Sequence, residues 1–133
     1  ARTPMQWSDG ENAGFSTAQP WIMLNPNDRQ INAAAEAADP DSVLNDYKRL
    51  IKLRSSERTL IYGTCEFLPS GSEDLLRYER RLDGTEFTVL CCMGSKQCRN
   101  LPDVPGELVL CNVSRPQKCV LQPYEARVYR RSI

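Results

Sequence analysis

The side chains able to do chemistry in this sequence are carboxylates and thiols, because histidine is absent. Ser-His-Asp and Cys-His nucleophilic sites need an imidazole, which is also the commonest metal ligand in proteins. The early acidic residues Asp9, Glu11, Asp28 and Glu36 lie in polar stretches, without the apolar surroundings that raise the pKa of a carboxyl group for acid catalysis. We interpret them as solvated surface charges, and we predict no catalytic residue, metal site or cofactor in this chain.

Six cysteines are the second chemical resource: Cys65, Cys91, Cys92, Cys98, Cys111 and Cys119. An even number is compatible with disulfides, but most of these residues lie in apolar runs, where cysteine behaves as a small buried hydrophobe. No Cys-x-x-Cys spacing occurs, which argues against zinc. We expect free thiols in a reducing cytoplasm. The alternative is a single disulfide between Cys98 and a strand cysteine.

Composition narrows the possible partners. The 133 residues suit one modest domain, and 17 basic residues balance 17 acidic ones. Without a basic field, we expect neither nucleic-acid binding nor electrostatic membrane attachment. No apolar run approaches the roughly 18 residues of a membrane span, and the first residues show no signal-peptide pattern.

The first 40 residues are predicted to be irregular, because proline and glycine interrupt them repeatedly. Only the alanine run at 33–38 favours a helical turn or two. An amphipathic helix is predicted from Asp39 to Ser55, with Asp39 as the N-cap and Pro40 in the first helical position. Its apolar positions recur at helical spacing: Val43, Leu44, Tyr47, Leu50 and Ile51.

After Thr59 the pattern changes to short strands without intervening helices, which predicts an antiparallel sandwich or barrel. The predicted strands are 60–68, 74–81, 85–93, 107–113, 118–121 and 125–131. Asp83-Gly84 between two of them predicts a tight hairpin turn.

Alternation in the third predicted strand separates two faces. We expect the core side to carry Phe87, Val89, Cys91 and Met93. The opposite side then carries Glu86, Thr88, Leu90 and Cys92. The aromatic residues of the strands, Tyr62, Phe67, Tyr78 and Phe87, are expected to fill the core.

Several stretches resemble the α-amylase family, glycoside hydrolase family 13, in its oligo-1,6-glucosidase and α-glucosidase branch. They begin with Arg-Thr-Pro-Met-Gln-Trp at 2–7 and Asn-Ala-Gly-Phe at 12–15. The resemblance continues at 20–21, 25–27, 31–32, 39–54 and 122–129. It implies that this chain is the C-terminal end of a longer enzyme.

The resemblance also implies a division of the chain. Residues 1–56 then form the end of a catalytic (β/α)8 barrel, as a long loop and its last helix. Residues 57–133 then form the Greek-key antiparallel β-sandwich that follows the barrel in the family. The implied partner is the barrel of the parent chain, so we expect 56–133 to fold alone and 1–38 to be mobile without that barrel.

Family members cleave terminal α-glucosyl units with retention, using an aspartate nucleophile, a glutamate acid/base and a second aspartate. The motifs that carry these three carboxylates lie upstream of the stretch that this chain resembles, so the resemblance implies that the isolated chain is inactive. It assigns Arg2 to substrate binding in the intact enzyme, where the arginine of this motif holds glucose hydroxyls. A planar guanidinium suits that role.

Trp7 and Trp21 have two interpretations, stacking on sugar rings or burial as anchors of an irregular loop, and we expect burial. Tyr124 is similarly expected to fill the core at a strand corner. The nearest alternative activity is that of a sucrose isomerase. Two other classes also stay open: a transporter heavy chain of the same branch, and a free-standing carbohydrate-binding sandwich at 59–133.

Overall fold

The structure is a computed structural model that describes residues 2–133. These residues fall into two compact units, the first ending at Lys48 and the second spanning Arg49–Ile133. The fold is mainly antiparallel β-sheet with few helices, which confirms the predicted fold class. The finer assignment, a boundary between residues 56 and 57 and a Greek-key sandwich after it, stays a prediction.

The first unit is built from turns and short helices. It contains a short 3-10 segment at Glu11–Gly14 and helix α1 at Ala33–Ala38, and it ends within helix α2, which spans Val43–Ser56. α1 coincides with the alanine run, whose residues have high helix propensity. The Asn32 side chain caps α1 by accepting a hydrogen bond of 2.9 Å from the Ala35 amide.

The predicted start of α2 is wrong. Ser42, not Asp39, is the N-cap, because its hydroxyl accepts a hydrogen bond of 3.2 Å from the Asn45 amide. The same buried hydroxyl donates to the Glu36 carbonyl at 2.5 Å. Asp39 instead accepts from the Asp41 amide at 2.9 Å, which forms a turn before the helix. Two capping side chains so close together cannot be ranked from the sequence, and the buried one begins the helix.

The second unit holds the end of α2, helix α3 at Arg58–Tyr62 and all the strands. The strands are β1 Thr64–Phe67, β2 Leu75–Leu82, β3 Thr85–Cys92, β4 Cys98–Arg99, β5 Glu107–Cys111, β6 Val120–Leu121 and β7 Ala126–Ser132. Five of them form an antiparallel sheet in the order β1-β2-β3-β7-β5, and β4 pairs with β6 in a second sheet. Each of the six predicted strands overlaps an observed one, but the prediction of a strand from residue 60 is wrong, because Leu60–Tyr62 belong to α3 and β1 begins at Thr64. Neither α3 nor β4 was predicted.

The β2–β3 hairpin confirms the predicted turn. Leu82 pairs with Thr85, and the two residues between them have positive φ, 48° at Asp83 and 73° at Gly84. Two consecutive left-handed residues match the right-handed twist of the flanking strands, and Asp-Gly adopts that geometry at low cost.

The expectation of a single core side for β3 is wrong, because both faces of this central strand are buried. Phe87 and Val89 pack with Leu60 of α3 and Val128 of β7 on one face. Leu90 and Cys92 pack on the opposite face, beneath Cys98 of β4 and Leu121 of β6. Met93, expected in the core, is 60% exposed.

Three aromatic residues are also placed differently from the prediction. Phe87 is buried and Tyr78 half-buried, but Tyr62, Phe67 and Tyr124 are exposed. Tyr124 has a φ of 61°, so it forms a left-handed corner by its backbone and not by a buried ring. Phe67 lies on edge strand β1, against Tyr78 at a ring separation of 5.8 Å.

No helix in residues 2–133 combines the length and apolar character needed to cross a bilayer.

Candidate functional site

The N-terminal loop is shaped by a short left-handed segment. Asn12, Ala13 and Gly14 have φ values of 51°, 55° and 67°. This conformation suits glycine and asparagine and is strained for alanine, yet Ala13 is fully buried here. The Ala13 carbonyl accepts hydrogen bonds from the amides of Trp7 and Ser8, at 2.9 and 3.1 Å. The segment therefore turns the loop back on itself and fixes the residues that follow Arg2.

The carbonyl groups of this fixed segment cap α1. The Ala33 amide donates to the Gln6 carbonyl at 2.9 Å, and the Ala34 amide donates to the Trp7 carbonyl at 3.0 Å. The Gln6 side chain donates to Asn27 Oδ1 at 3.2 Å and also to the Ile31 carbonyl. The first amides of α1 thus have protein acceptors, and the loop is held by the helix instead of by a core of its own.

Arg2, the predicted substrate-binding residue, is exposed at the start of this loop. The residues directly after it, Thr3 and Pro4, line an open cleft with Phe15, Pro20, Trp21 and Ile22. The walls are largely apolar. A guanidinium beside an apolar cleft can donate hydrogen bonds to a polar molecule whose carbon face lies on the aromatic rings. The binding role of Arg2 stays a prediction.

The expected burial of the two tryptophans is wrong for this chain. Trp7 is 54% exposed and Trp21 is 93% exposed. Among residues 2–48 no large apolar side chain is buried. Hydrogen bonds of the Gln6 side chain and of the Gln6 and Ala13 carbonyls hold the loop, so no ring is needed as an anchor. Phe15, which the sequence analysis did not single out, lies in the cleft wall, and its position in the Asn-Ala-Gly-Phe motif was the available signal.

The early carboxylates have structural or solvent roles. Asp9 and Glu11 are exposed, in agreement with the prediction, whereas Asp28 is half-buried. Glu36 is half-buried, and its Oε2 accepts a hydrogen bond of 3.2 Å from the Leu44 amide at the start of α2. Within the part of the chain that the structure describes, no group of three or more Cys, Asp or Glu side chains is arranged to hold a metal ion.

A second group of carboxylates, which the sequence did not predict, lies in the sheet. Glu79 and Glu86 are both buried and both pair with Arg81. Hydrogen bonds from Arg131 and Arg81 lower the pKa of Glu86 despite its burial, so it is held ionised. A carboxylate with a lowered pKa accepts hydrogen bonds and does not serve as a general acid at neutral pH. Glu86 therefore links β3 to its neighbouring strands through Arg81 and Arg131. The signal in the sequence was the matching parity of Arg81 and Glu86 across the Asp-Gly turn.

Comparison with known proteins finds a matching family model and several similar enzymes. Residues 1–63 match the family model described as the α-amylase catalytic domain. The chain is 39% identical to an oligo-1,6-glucosidase of Parageobacillus thermoglucosidasius, with 98% of this chain and 25% of the relative covered. It is 36% identical to an α-glucosidase of Candida albicans, with 97% of this chain and 23% of the relative covered.

The solved structure of an isomaltulose synthase from Klebsiella sp. LX3 is similar along nearly the whole chain. Its TM-score is 0.88 at 34% identity, with coverage of 96% of this chain and 24% of the synthase. The chain therefore spans about a quarter of the length of the relatives it matches.

Proposed function

Because this chain belongs to the α-amylase family of glycoside hydrolases, we propose that it acts as the C-terminal part of a longer α-glucosidase. That enzyme hydrolyses terminal α-linked glucose from short gluco-oligosaccharides with retention of configuration. The observation that carries the proposal is the 39% identity to an oligo-1,6-glucosidase along 98% of this chain.

In this proposal the chemistry is done outside the present residues. Retaining hydrolysis needs two carboxyl groups about 5 Å apart, one as nucleophile and one as acid/base. The half-buried Glu36 accepts an amide hydrogen bond at a helix start, and Glu86 is held ionised between arginines. The catalytic carboxylates therefore come from the barrel of the longer chain, and the 133 residues alone are inactive.

The exposed apolar side chains support a barrel as partner. Met23, Val43, Tyr47 and Ile51 are between 62% and 79% exposed, and Trp21 is almost fully exposed. Large apolar surfaces of this kind are usually covered by another protein surface. We assign that cover to the remainder of the longer enzyme. The six free thiols support a reducing, cytoplasmic location.

The proposed part of this chain in substrate binding is Arg2. Arg2 is exposed and directly precedes Thr3 and Pro4, which line the cleft; Arg2 itself is not one of the lining residues. The planar fork of donors pairs with a carboxylate while donating to sugar hydroxyls. Sucrose isomerisation is the second candidate activity of the longer enzyme, supported by the structural similarity to an isomaltulose synthase.

The test is an assay of the longer protein with isomaltose, maltose and sucrose, with the product anomer followed by NMR. Release of glucose as the α-anomer is the expected result. Conversion of sucrose to an isomer without net hydrolysis would overturn the α-glucosidase proposal and support sucrose isomerisation. No reaction with any of the three sugars would overturn both proposals.

The role of Arg2 is tested separately in the same enzyme. Arg2→Ala is expected to lower kcat/KM by roughly 10- to 150-fold, the value of one or two hydrogen bonds from a charged group. Arg29→Ala, which removes an exposed arginine elsewhere in the same loop unit, is the matched control. Equal effects of the two substitutions contradict the assignment of Arg2.

A further inference from the structure

Cys92 and Cys98 bring two buried sulfur atoms into contact in the second unit. Their Sγ atoms are 3.0 Å apart, about one ångström more than the roughly 2.05 Å of a disulfide bond. The Cys98 thiol donates to Cys92 Sγ, and the Cys92 thiol donates in turn to the Lys96 carbonyl at 3.1 Å. Cys92 is 1% exposed and Cys98 4% exposed. No other pair of cysteines in residues 2–133 has such a sulfur contact.

The alternation of β3 decides which strand cysteine meets Cys98. Adjacent side chains of a strand point to opposite faces. Cys91 packs with the cluster of Phe87 and Val128, whereas Cys92 packs with Leu121 and Cys98 beneath the second sheet. The remaining cysteines are placed elsewhere: Cys111 donates to Glu125 Oε1 at 3.7 Å, and Cys65 and Cys119 are exposed.

We propose that Cys92 and Cys98 are a disulfide-forming pair that a small-molecule disulfide oxidises to an intramolecular crosslink. The crosslink joins the central strand β3 to β4, and through the pairing of β4 with β6 it ties the second sheet to the main one. It closes the short exposed loop between Met93 and Gln97.

The reaction balances without any metal or cofactor. One thiol loses its proton to solvent and attacks a sulfur of the oxidant, releasing the first oxidant thiolate and forming a mixed disulfide. The second thiol then loses its proton and attacks the protein sulfur of that mixed disulfide, which releases the second thiolate. The two protein sulfurs are oxidised, and the oxidant is reduced to two thiols.

The surroundings make this oxidation slow in the folded chain. Burial, with the hydrogen bond to Cys92, raises the pKa of the Cys98 thiol, so the reactive thiolate is scarce at neutral pH. The loop from Gly94 to Gln97 consists of exposed or half-buried residues, and its local opening gives the oxidant access. The crosslink is therefore expected over hours instead of seconds.

The experiment incubates the reduced 133-residue chain with oxidised glutathione, blocks remaining thiols with an alkylating agent after unfolding, and maps the peptides by mass spectrometry without reduction. The expected product is a linked pair of peptides containing Cys92 and Cys98, lighter by two hydrogen atoms and separated by dithiothreitol. Its formation is expected to raise the Tm by roughly 5 °C or more, because the link constrains the unfolded chain.

Matched variants assign the link. Cys92→Ser and Cys98→Ser each abolish it, whereas the double variant Cys65→Ser/Cys119→Ser, which removes the two exposed thiols, retains it. The peptide map of the wild-type chain identifies the linked cysteines by itself, so the test does not depend on the folding of the Cys92 and Cys98 variants. Full alkylation of both Cys92 and Cys98 after prolonged oxidation, or crosslinks only through Cys65 or Cys119, overturns the proposal.

Discussion

Arg81 and Glu86 face each other directly across the β2–β3 hairpin, and Arg81 Nε donates a hydrogen bond of 2.7 Å to Glu86 Oε2. On the other side, Arg131 of β7 is the register partner of Glu86, and its Nε lies 2.5 Å from Oε1. The Glu86 side chain is 1% exposed. One buried carboxylate is thus held between cations from both neighbouring strands, and this arrangement, led by the hydrogen bond from Arg131, lowers its pKa.

Glu86→Gln is expected to destabilise the fold in a pH-dependent way. Because the pKa is lower in the folded chain, ionised Glu86 stabilises the fold above its unfolded pKa of about 4.3, and this stabilisation is lost as the pH falls through the folded value. The Tm of the variant should lie several degrees below wild type at pH 7, and the gap should narrow in acid. Thermal unfolding followed by circular dichroism measures both.

The control for Glu86 is Glu66→Gln. Glu66 pairs with the same Arg81 at 3.4 Å, but its side chain is 62% exposed. Exposed pairs contribute little, so its Tm shift should be small at every pH. Equal Tm shifts for the two variants would contradict the claim that ionised Glu86 stabilises the fold. A Tm difference between Glu86→Gln and wild type that widens in acid would also contradict it.

Because both faces of β3 are buried, a substitution that leaves a cavity on either face is expected to destabilise the fold. Phe87→Ala is expected to cost about 3–5 kcal/mol of unfolding free energy, and Leu90→Ala about 2–5 kcal/mol, by cavity formation. Met93→Ala, at an exposed position of the same parity as Phe87, should cost less than about 0.5 kcal/mol. Urea unfolding of the 133-residue chain measures all three. A mild effect of Leu90→Ala combined with a large effect of Met93→Ala would restore the single core side predicted from alternation.

Much of the sheet was predictable because its signals are local. Alternation gave the approximate positions of β2, β3 and β7, and Asp83-Gly84 gave the hairpin turn. The burial of Glu86 was not predictable from alternation alone, because it depends on Arg131, which lies 45 residues away in sequence. Polar residues at alternate positions of a strand predict a solvated face unless long-range partners neutralise them.

The sequence was enough to recognise the motif of the candidate site, but it did not predict which side chains of that site are exposed. The motif containing Arg2 could be recognised from the sequence. The exposure of Trp7 and Trp21 could not, since the size of an indole ring favours burial. The structure instead orders the loop by the left-handed turn at Ala13 and by the Gln6 side chain. Hydrogen bonds of this kind leave no periodic signal in a sequence.

Gly14→Ala tests the turn that orders the loop. Its φ is 67°, and an added Cβ lies 2.6 Å from Ser8 Oγ. A left-handed alanine costs roughly 1–2 kcal/mol, so the Trp7 and Ser8 amides should exchange with solvent about 5- to 30-fold faster. Hydrogen exchange with mass or NMR detection measures this change.

Gly10→Ala is the control for the same loop. Gly10 has a φ of −75°, and an added Cβ lies 3.3 Å from the same hydroxyl. Its effect on the exchange of Trp7 and Ser8 should be much smaller. Unchanged exchange in Gly14→Ala would show that the turn does not hold the segment after Arg2.

Ile51→Glu tests whether another part of a longer enzyme covers α2. Ile51 is 62% exposed in this chain, so the substitution should change the Tm of the 133 residues very little. In the longer protein the same change places a charge in a covered apolar contact and should lower the Tm by several degrees. Lys52→Glu, at an exposed neighbouring position of the helix, is the control. A similar small shift of Ile51→Glu in both proteins would contradict the proposed cover.

The most direct measurement is the hydrolysis of nitrophenyl α-glucoside by the purified 133-residue chain beside the longer protein that contains it. We predict turnover by the longer protein and none by the 133 residues at equal molar concentration, because the catalytic carboxylates are assigned to the barrel. Turnover by the 133 residues alone that persists after repeated purification would contradict the account.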